Sequence, residues 1–456
     1  MPALAPRTAR ELAYRVLVEH REGGAWVQEL LARSFAAGTW SPADRGLATE
    51  LTCGVVRRQA ALTAVLQPQI ARPWDQIEPD LITLLWLGTY QLLYLDRVPR
   101  FAAIHETVEV CRAIGQTRWT GFVNGVLRSV DRLVTDEFTD VPAADAVPIS
   151  AGRYRKLQRA VFPSPETHRA GYIATAFSLP EWLAERWTQR WPAAELIALA
   201  AAINETPVLF ARPNPRRTTP EELYSLWQAH GATCKRVGDS ALRLDHAGNV
   251  ELLPGYHEGL FSLQDLTAMR AVEALQPRAG ERIWDVCAAP GTKTCQLAER
   301  MDDRGEILAT DASTERLTMV EDGLHRLGLT CVRTLRIRPD GVDLPDDSFD
   351  AVLLDAPCSN TGVLHRRPEA RWRLQPDDIT ELAATQRQLL RAALDRVAPH
   401  GRLLYATCSI EPEENEAVVR EVLSQRPEFT LADEFAALPG PHGDGGYQAL
   451  LIRKSD

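Results

Sequence analysis

The strongest constraint in this 456-residue chain is the alternation of strand-like and helix-like segments through its last 200 residues. Short apolar runs at Arg282 to Val286, Ile307 to Thr310, Cys331 to Leu335, Asp350 to Leu354, Arg402 to Ala406, Phe429 to Ala432 and Tyr447 to Ile452 predict seven strands. Helices fill the gaps. Ser313 to Leu327 places Leu317, Val320, Leu324 and Leu327 on one face, and Asp377 to Val397 forms a long helix stopped before Pro399-His400-Gly401. This alternation predicts a mainly parallel sheet covered on both faces, an α/β domain over residues 259–456. In such sheets ligands bind beyond the carboxyl ends of the strands, where strand order reverses.

The preceding 258 residues predict a multidomain chain, since one core rarely grows to this length. Val27, Leu30, Leu31 and Ser34, then Leu47, Leu51 and Val55, keep helical spacing, and Ser41-Pro42-Ala43-Asp44 reads as a capped helix start. Further helices are expected at Asp80 to Leu95, Ala102 to Ile114 and Thr120 to Leu133, giving an all-α domain over 1–135. Residues 136–165 read as a linker, since Thr135 to Ser150 is acidic and rich in Ala and Pro without a helical stripe. A small α+β module is expected over 166–258, with strands at Val208 to Arg212 and Ala241 to Leu244 around a helix at Pro220 to His230.

A net charge of −10 argues against non-specific coating of nucleic acid, so any RNA contact must be local. Basic clusters occur at Arg153 to Arg159, Arg212 to Arg217, Arg333 to Arg338 and His365 to Arg373. The first three read as solvated faces. The fourth directly follows D-A-P-C. No apolar run reaches bilayer length and Met1 to Arg10 lacks a signal-peptide pattern, so a cytoplasmic, membrane-free protein is expected. The eight cysteines include no C-x-x-C pair, which leaves neither a zinc site nor a disulfide framework in view. No metal is expected, and a monomer is.

Three stretches fall at strand ends: I-W-D-V-C-A-A-P-G-T-K-T from Ile283 to Thr294, D-A-P-C from Asp355 to Cys358, and Y-A-T-C-S from Tyr405 to Ser409. In the first, Ala288, Ala289, Pro290 and Gly291 leave little side chain between the backbone and a ligand, and a helix start follows. Asp311 lies 20 residues after Gly291, the spacing at which a carboxylate in a nucleotide-binding α/β unit takes ribose hydroxyls.

Taken together, D-V-C-A-A-P-G-T-K-T, D-A-P-C-S-N-T-G and Y-A-T-C-S-I resemble the motifs of the S-adenosylmethionine-dependent RNA 5-methylcytosine methyltransferases, which carry a Rossmann-like seven-stranded domain. F-V-N-G-V-L-R at Phe122 to Arg128 resembles the NusB-type RNA-binding domain attached to the RsmB (Fmu, Sun) branch, and the α+β module and D-G-G-Y at Asp444 to Tyr447 extend the resemblance over almost the whole chain. For that branch the substrate is a cytosine of small-subunit ribosomal RNA. The resemblance implies that Cys287, Ala288, Ala289, Pro290, Gly291, Thr292 and Lys293 hold S-adenosylmethionine, that Asp311 takes its ribose, and that Asp340 in R-P-D-G approaches its adenine. It places Asp355 beside both cofactor and base, Cys408 as nucleophile, and Cys358 as the thiol that assists product release.

The chemistry explains why two thiols are wanted. Carbon 5 of cytosine is a poor nucleophile, and a thiolate adding to carbon 6 makes it enamine-like. Afterwards the carbon 5 proton must leave before the enzyme thiol can be expelled, which asks for a second group. Cys53, Cys111, Cys234, Cys295 and Cys331, outside these motifs, read as buried small hydrophobes, and Cys287 as packing with its backbone near the ligand. A helix start near Pro412 would favour a Cys408 thiolate, with Glu411, Glu413 and Glu414 opposing it. Thr292 stands where a second glycine is usual, Asn360 where a smaller residue is, and His365-Arg366-Arg367-Pro368 permutes Arg-Arg-His-Pro. A reading from another class is a non-catalytic RNA-binding or ribosome-assembly factor with a decayed transferase domain; retention of both cysteines, Asp355 and Asp311 argues against it.

Overall fold

The structure is a computed structural model that describes residues 5–245, 248–338 and 343–454. It divides into two compact units. The first comprises Met1–Thr206 and Leu364–Arg373; the second comprises Pro207–Val363 and Leu374–Asp456.

The first unit opens with the helices Ala9–Gly23, Val27–Ala36, Pro42–Leu66, Pro79–Tyr94, Arg100–Ala113 and Thr120–Leu133. Ser41 caps the third as its sequence suggests, its hydroxyl oxygen accepting the Asp44 N–H at 3.1 Å with Pro42 at the first helical position. The structure differs from the sequence reading at residues 136–165. Instead of an unstructured linker, β1 (Val134–Thr139), β2 (Ala146–Ser150) and β3 (Arg153–Leu157) form an antiparallel sheet in the order β1-β3-β2. Val134, Val147, Tyr154 and Leu157 are buried. Arg155, expected on a solvated face, is buried against Asp96 and donates to the Leu93 carbonyl at 3.1 Å. Helices Arg169–Ala176, Glu181–Arg190 and Ala193–Ala202 also fall in this compact unit.

Residues 364–373 carry the fourth basic cluster, and at Arg371 they are core. The Arg371 side chain is fully buried. Its Nη1 donates to the Ser178 carbonyl at 3.0 Å and Asn204 Oδ1 at 2.9 Å, and its Nη2 to the Ile203 carbonyl at 2.9 Å. Val27 N–H donates to Glu369 Oε1 at 2.9 Å, and Trp372 Nε1 to the Val56 carbonyl at 2.9 Å. The strap thus closes the helical unit.

The second unit begins with β4 (Leu209–Pro213), β5 (Cys234–Val237), β6 (Ala241–Leu244) and β7 (Phe261–Leu263), an antiparallel sheet ordered β5-β6-β4-β7. Helix Pro220–Ala229 is started by a Thr219–Glu222 capping box and packs Leu223 and Trp227 against Phe261. Arg212, another residue expected on a solvated face, forms a buried ion pair with Glu299 at 2.9 Å.

Seven further strands make the main sheet: β8 (Arg282–Asp285), β9 (Glu306–Asp311), β10 (Val332–Arg336), β11 (Phe349–Asp355), β12 (Val397–Thr407), β13 (Phe429–Ala437) and β14 (Gly446–Arg453), each overlapping its sequence-predicted segment, although the helix before β12 ends at Leu394 and β12 takes in Val397 and Pro399-His400-Gly401, read from sequence as the helix end and its stop. Their order is β10-β9-β8-β11-β12-β14-β13, parallel through β12, with β14 antiparallel to both its neighbours. Alternation along each strand splits the core into two layers. Ile283 and Leu353 meet Leu297 and Val320 on one face, while Trp284 and Leu354 meet Leu390 and Val419 on the other. Strand order reverses between β8 and β11, where the first two motifs end. Asp340, the residue expected to approach the adenine, lies outside the described residues.

Candidate active site

The turn after β8 owes its shape to Gly291. This residue has φ +99°, and a Cβ there would lie 2.9 Å from Val320 Cα, so both conformation and space exclude a side chain. Thr292 opens helix Thr292–Arg300 with no positive φ, which removes the strain that a β-branched residue at a second glycine position would suggest. The helix positions Lys293 so that its Nζ lies 2.6 Å from Asp355 Oδ2. Burial pulls the Lys293 ammonium down, and the charge and hydrogen bond of Asp355 more than reverse this, holding it above its usual value.

Asp311, at the end of β9, is buried beside the same turn. Its Oδ1 accepts Ser313 N–H at 3.0 Å and its Oδ2 accepts Ala289 N–H at 3.3 Å. Asp285, at the end of β8, is 1% exposed and accepts the Thr294 hydroxyl on Oδ2 at 2.6 Å. Burial pushes its carboxyl up to about 7, against the pull of Thr294, and Asp355 and Asp311 add to the rise. Its Oδ1 has no hydrogen-bond partner among the described residues. A buried, unpaired acceptor costs about 1–3 kcal/mol and asks for a donor. The sequence reading did not single out Asp285, although it opens the D-V-C-A-A-P motif. Burial and the surrounding carboxylates push the Cys287 thiol far up, so it stays a neutral packing group.

The two motif cysteines meet. Cys358, three residues past β11's last paired carboxylate, and Cys408, directly past β12, place their Sγ atoms 3.2 Å apart. The hydrogen bond to Cys408, then burial, raises the Cys358 thiol well above its ordinary value, so this member of the pair holds its proton. Asn360 accounts for its own presence. It adopts φ +61°, which asparagine tolerates, donates Nδ2–H to the Cys358 carbonyl at 2.8 Å, and accepts from Cys408 Sγ at 3.3 Å on Oδ1. A smaller residue would leave Cys408 without that partner.

The expectation of a helix start facing Cys408 is not met. Pro412–Glu414 is a single 3-10 turn, and the longer helix begins at Glu416. Glu414 does not oppose a thiolate from solvent; it is fully buried beneath the serines that follow each cysteine. No sequence signal separates the buried Glu411 and Glu414 from the exposed Glu413 between them.

The chain matches the family described as 16S rRNA methyltransferase RsmB/F over residues 272–442, the NusB family over 7–132, and the ferredoxin-like domain of RsmF/B-like methyltransferases over 179–251. It is 35% identical over 427 residues to the probable ribosomal RNA small subunit methyltransferase B of Synechocystis sp., spanning 92% of this chain and 90% of that one. The Bacillus subtilis protein named in the same way is 32% identical, over 92% and 89% of the two chains. The Cronobacter sakazakii ribosomal RNA small subunit methyltransferase B is 34% identical, over 91% and 92%. Among solved structures, the methyltransferase homologue from Pyrococcus horikoshii is 27% identical with a TM-score of 0.55, covering 64% of this chain and all of that one. The two thiols at the strand ends, the glycine turn at the switch point and the helical first unit therefore belong to a member of the RsmB/F family of methyltransferases, in its ribosomal RNA small subunit methyltransferase B branch.

Proposed function

We propose that the chain methylates carbon 5 of a cytosine in small-subunit ribosomal RNA, with S-adenosylmethionine as donor and a covalent bond from Cys408 to carbon 6. The observation that carries this reading is the 3.2 Å approach of the Cys358 and Cys408 sulfurs beside the Lys293–Asp355 pair. One thiol suffices for packing; two in contact at the ligand edge of the sheet suit an addition and its reversal.

The cradle fits the donor. Asp285 Oδ1 offers a buried acceptor to an ammonium group, and Asp311, buried beside the same turn, would take the ribose hydroxyls. When bound, the donor supplies a methyl group on a sulfonium. Asp355, held by Lys293, would hydrogen-bond the polar edge of the base and favour its protonated, electrophilic form. Cys408 Sγ then adds to carbon 6, and carbon 5 becomes the nucleophile. Once carbon 5 carries the methyl group, the Cys408 Sγ–carbon 6 bond breaks with its electron pair returning to Sγ; Cys358 would pass its proton to that sulfur and, as the resulting thiolate, take up the proton leaving carbon 5.

The test separates the thiols. Cys358→Ala should form an RNA-linked species on a denaturing gel that requires the donor, Cys408→Ala should form none, and bisulfite sequencing of ribosomal RNA from cells with and without the wild type should reveal one cytosine. Adduct formation by Cys408→Ala overturns the roles; a wild type that marks no cytosine overturns the reading.

A further inference from the structure

The two reactive sulfurs lie beyond the reach of the sheet that presents them. The β11–β12 register ends at Asp355 opposite Ala406, with one last bond from Ala356 N–H to the Ala406 carbonyl at 2.9 Å. Cys358 and Cys408 each lie two residues further on, where the strands have become loops. Part of what holds those loops is backbone: Gly362 N–H donates to the Cys408 carbonyl at 2.9 Å. Part is side chain, with Thr361 Oγ1 accepting Ile410 N–H at 3.0 Å and Asn360 Oδ1 accepting from Cys408 Sγ, and the largest group of donors converges on one carboxylate.

Glu414 is fully buried, and four donors face its two oxygens. Oε1 accepts Ser359 N–H at 2.8 Å and Gln386 Nε2–H at 3.0 Å, while Oε2 accepts the hydroxyls of both Ser359 and Ser409. Ser359 directly follows Cys358 and Ser409 directly follows Cys408. The Glu414 carbonyl accepts the Tyr405 hydroxyl at 2.5 Å, which ties the carboxylate's own backbone to β12. Burial pushes the carboxyl up, and the four donors pull it only part of the way back, so it stays above its ordinary value. Hydrogen bonds to an ionised acceptor are roughly twice as strong as neutral ones, and here two loops share one acceptor.

We propose that Glu414 is a positioning residue that clamps the two cysteine loops together and so sets the separation of the Cys358 and Cys408 thiols. The inference rests on the two-thiol reading above, and its test is chosen to be read without RNA. A trivalent arsenical such as phenylarsine oxide bridges two thiols only when they lie close together. Applied to the full-length protein, it should bridge Cys358 and Cys408 in the wild type, as peptide mapping by mass spectrometry would show. Glu414→Ala should bridge them at least tenfold more slowly while binding S-adenosylmethionine within about threefold of wild type. Glu414→Gln should restore bridging to within about threefold, because the amide oxygen keeps both N–H donors and the serine hydroxyls can turn to accept from its nitrogen. Circular dichroism reports whether Glu414→Ala folds; if it does not, the pair Ser359→Ala/Ser409→Ala takes its place, with an expected loss of at least fivefold.

Bridging at the wild-type rate in the folded variant, or equal losses of bridging and cofactor binding, would overturn the clamp. If the wild type bridges the arsenical but never methylates RNA, the covalent reading fails and the clamp is still decided by the arsenical alone.

Discussion

Asp285 should make the second unit's stability fall as pH rises, opposite to the usual behaviour of a carboxylate that gains a salt bridge. Its carboxyl moves from an ordinary 3.8 to about 7 because burial disfavours the charged form. Below 3.8 the group is protonated in both folded and unfolded chains and contributes no penalty. Between 3.8 and about 7 only the unfolded chain releases the proton, so unfolding becomes progressively easier, and above 7 the whole difference is felt. That difference is ~4 kcal/mol at 1.36 kcal/mol per pH unit. Asp285→Asn keeps the shape and removes the charge, at the expense of an amide N–H where Oδ1 lacked a partner, about 1 kcal/mol. The variant should therefore be roughly 2–4 kcal/mol more stable than wild type at pH 8, with the advantage shrinking toward pH 4. Pulsed alkylation of the buried Cys295 against urea, read by mass spectrometry, reports opening of this unit by itself. A variant that is destabilised at pH 8 and indifferent at pH 4 would show that the native carboxylate is charged and well paired, and the desolvation argument would be wrong.

Gly291→Ala should destabilise the same unit by more than ~2 kcal/mol, since a left-handed φ and a backbone contact at 2.9 Å act together. Thr292→Gly at the first helical position should cost at most ~1 kcal/mol and leave donor affinity unchanged; calorimetry and urea titration check both. Asp311→Ala should weaken S-adenosylmethionine binding roughly ten- to a hundredfold by calorimetry, the loss of a charge-assisted pair; unchanged affinity in a folded variant would place the ligand elsewhere.

The parts of the fold with a period were legible in sequence. Leu317, Val320, Leu324 and Leu327 are the buried stripe of helix Thr314–Leu327, and all seven strands of the main sheet overlap the segments where alternation put them. Residues 136–165 escaped because β1 to β3 are short and carry Pro and Asp, with burial supplied by single residues such as Tyr154 rather than a run. At the candidate site, residues inside spaced motifs came together as expected: Lys293 on Asp355, Cys358 on Cys408. What the sequence concealed is the state of its charges. Arg155, Arg212, Arg371 and Glu414 look like surface charge in one dimension, and each is buried because distant partners, such as the Ser178 and Ile203 carbonyls for Arg371, converge on it. No local pattern encodes such convergence.

The strap formed by residues 364–373 has a consequence for how the chain is made. Synthesis runs from the amino terminus, and domains generally close as soon as their residues emerge. In the helical unit, the guanidinium that satisfies the Ser178 and Ile203 carbonyls comes only with residue 371. The 167 residues between Thr206 and Arg373 take roughly 8–33 s to add at about 5–20 residues per second. Throughout that interval the Ser178 and Ile203 carbonyls lack the donor that later meets them, and Cys358 is added to the chain before that donor is.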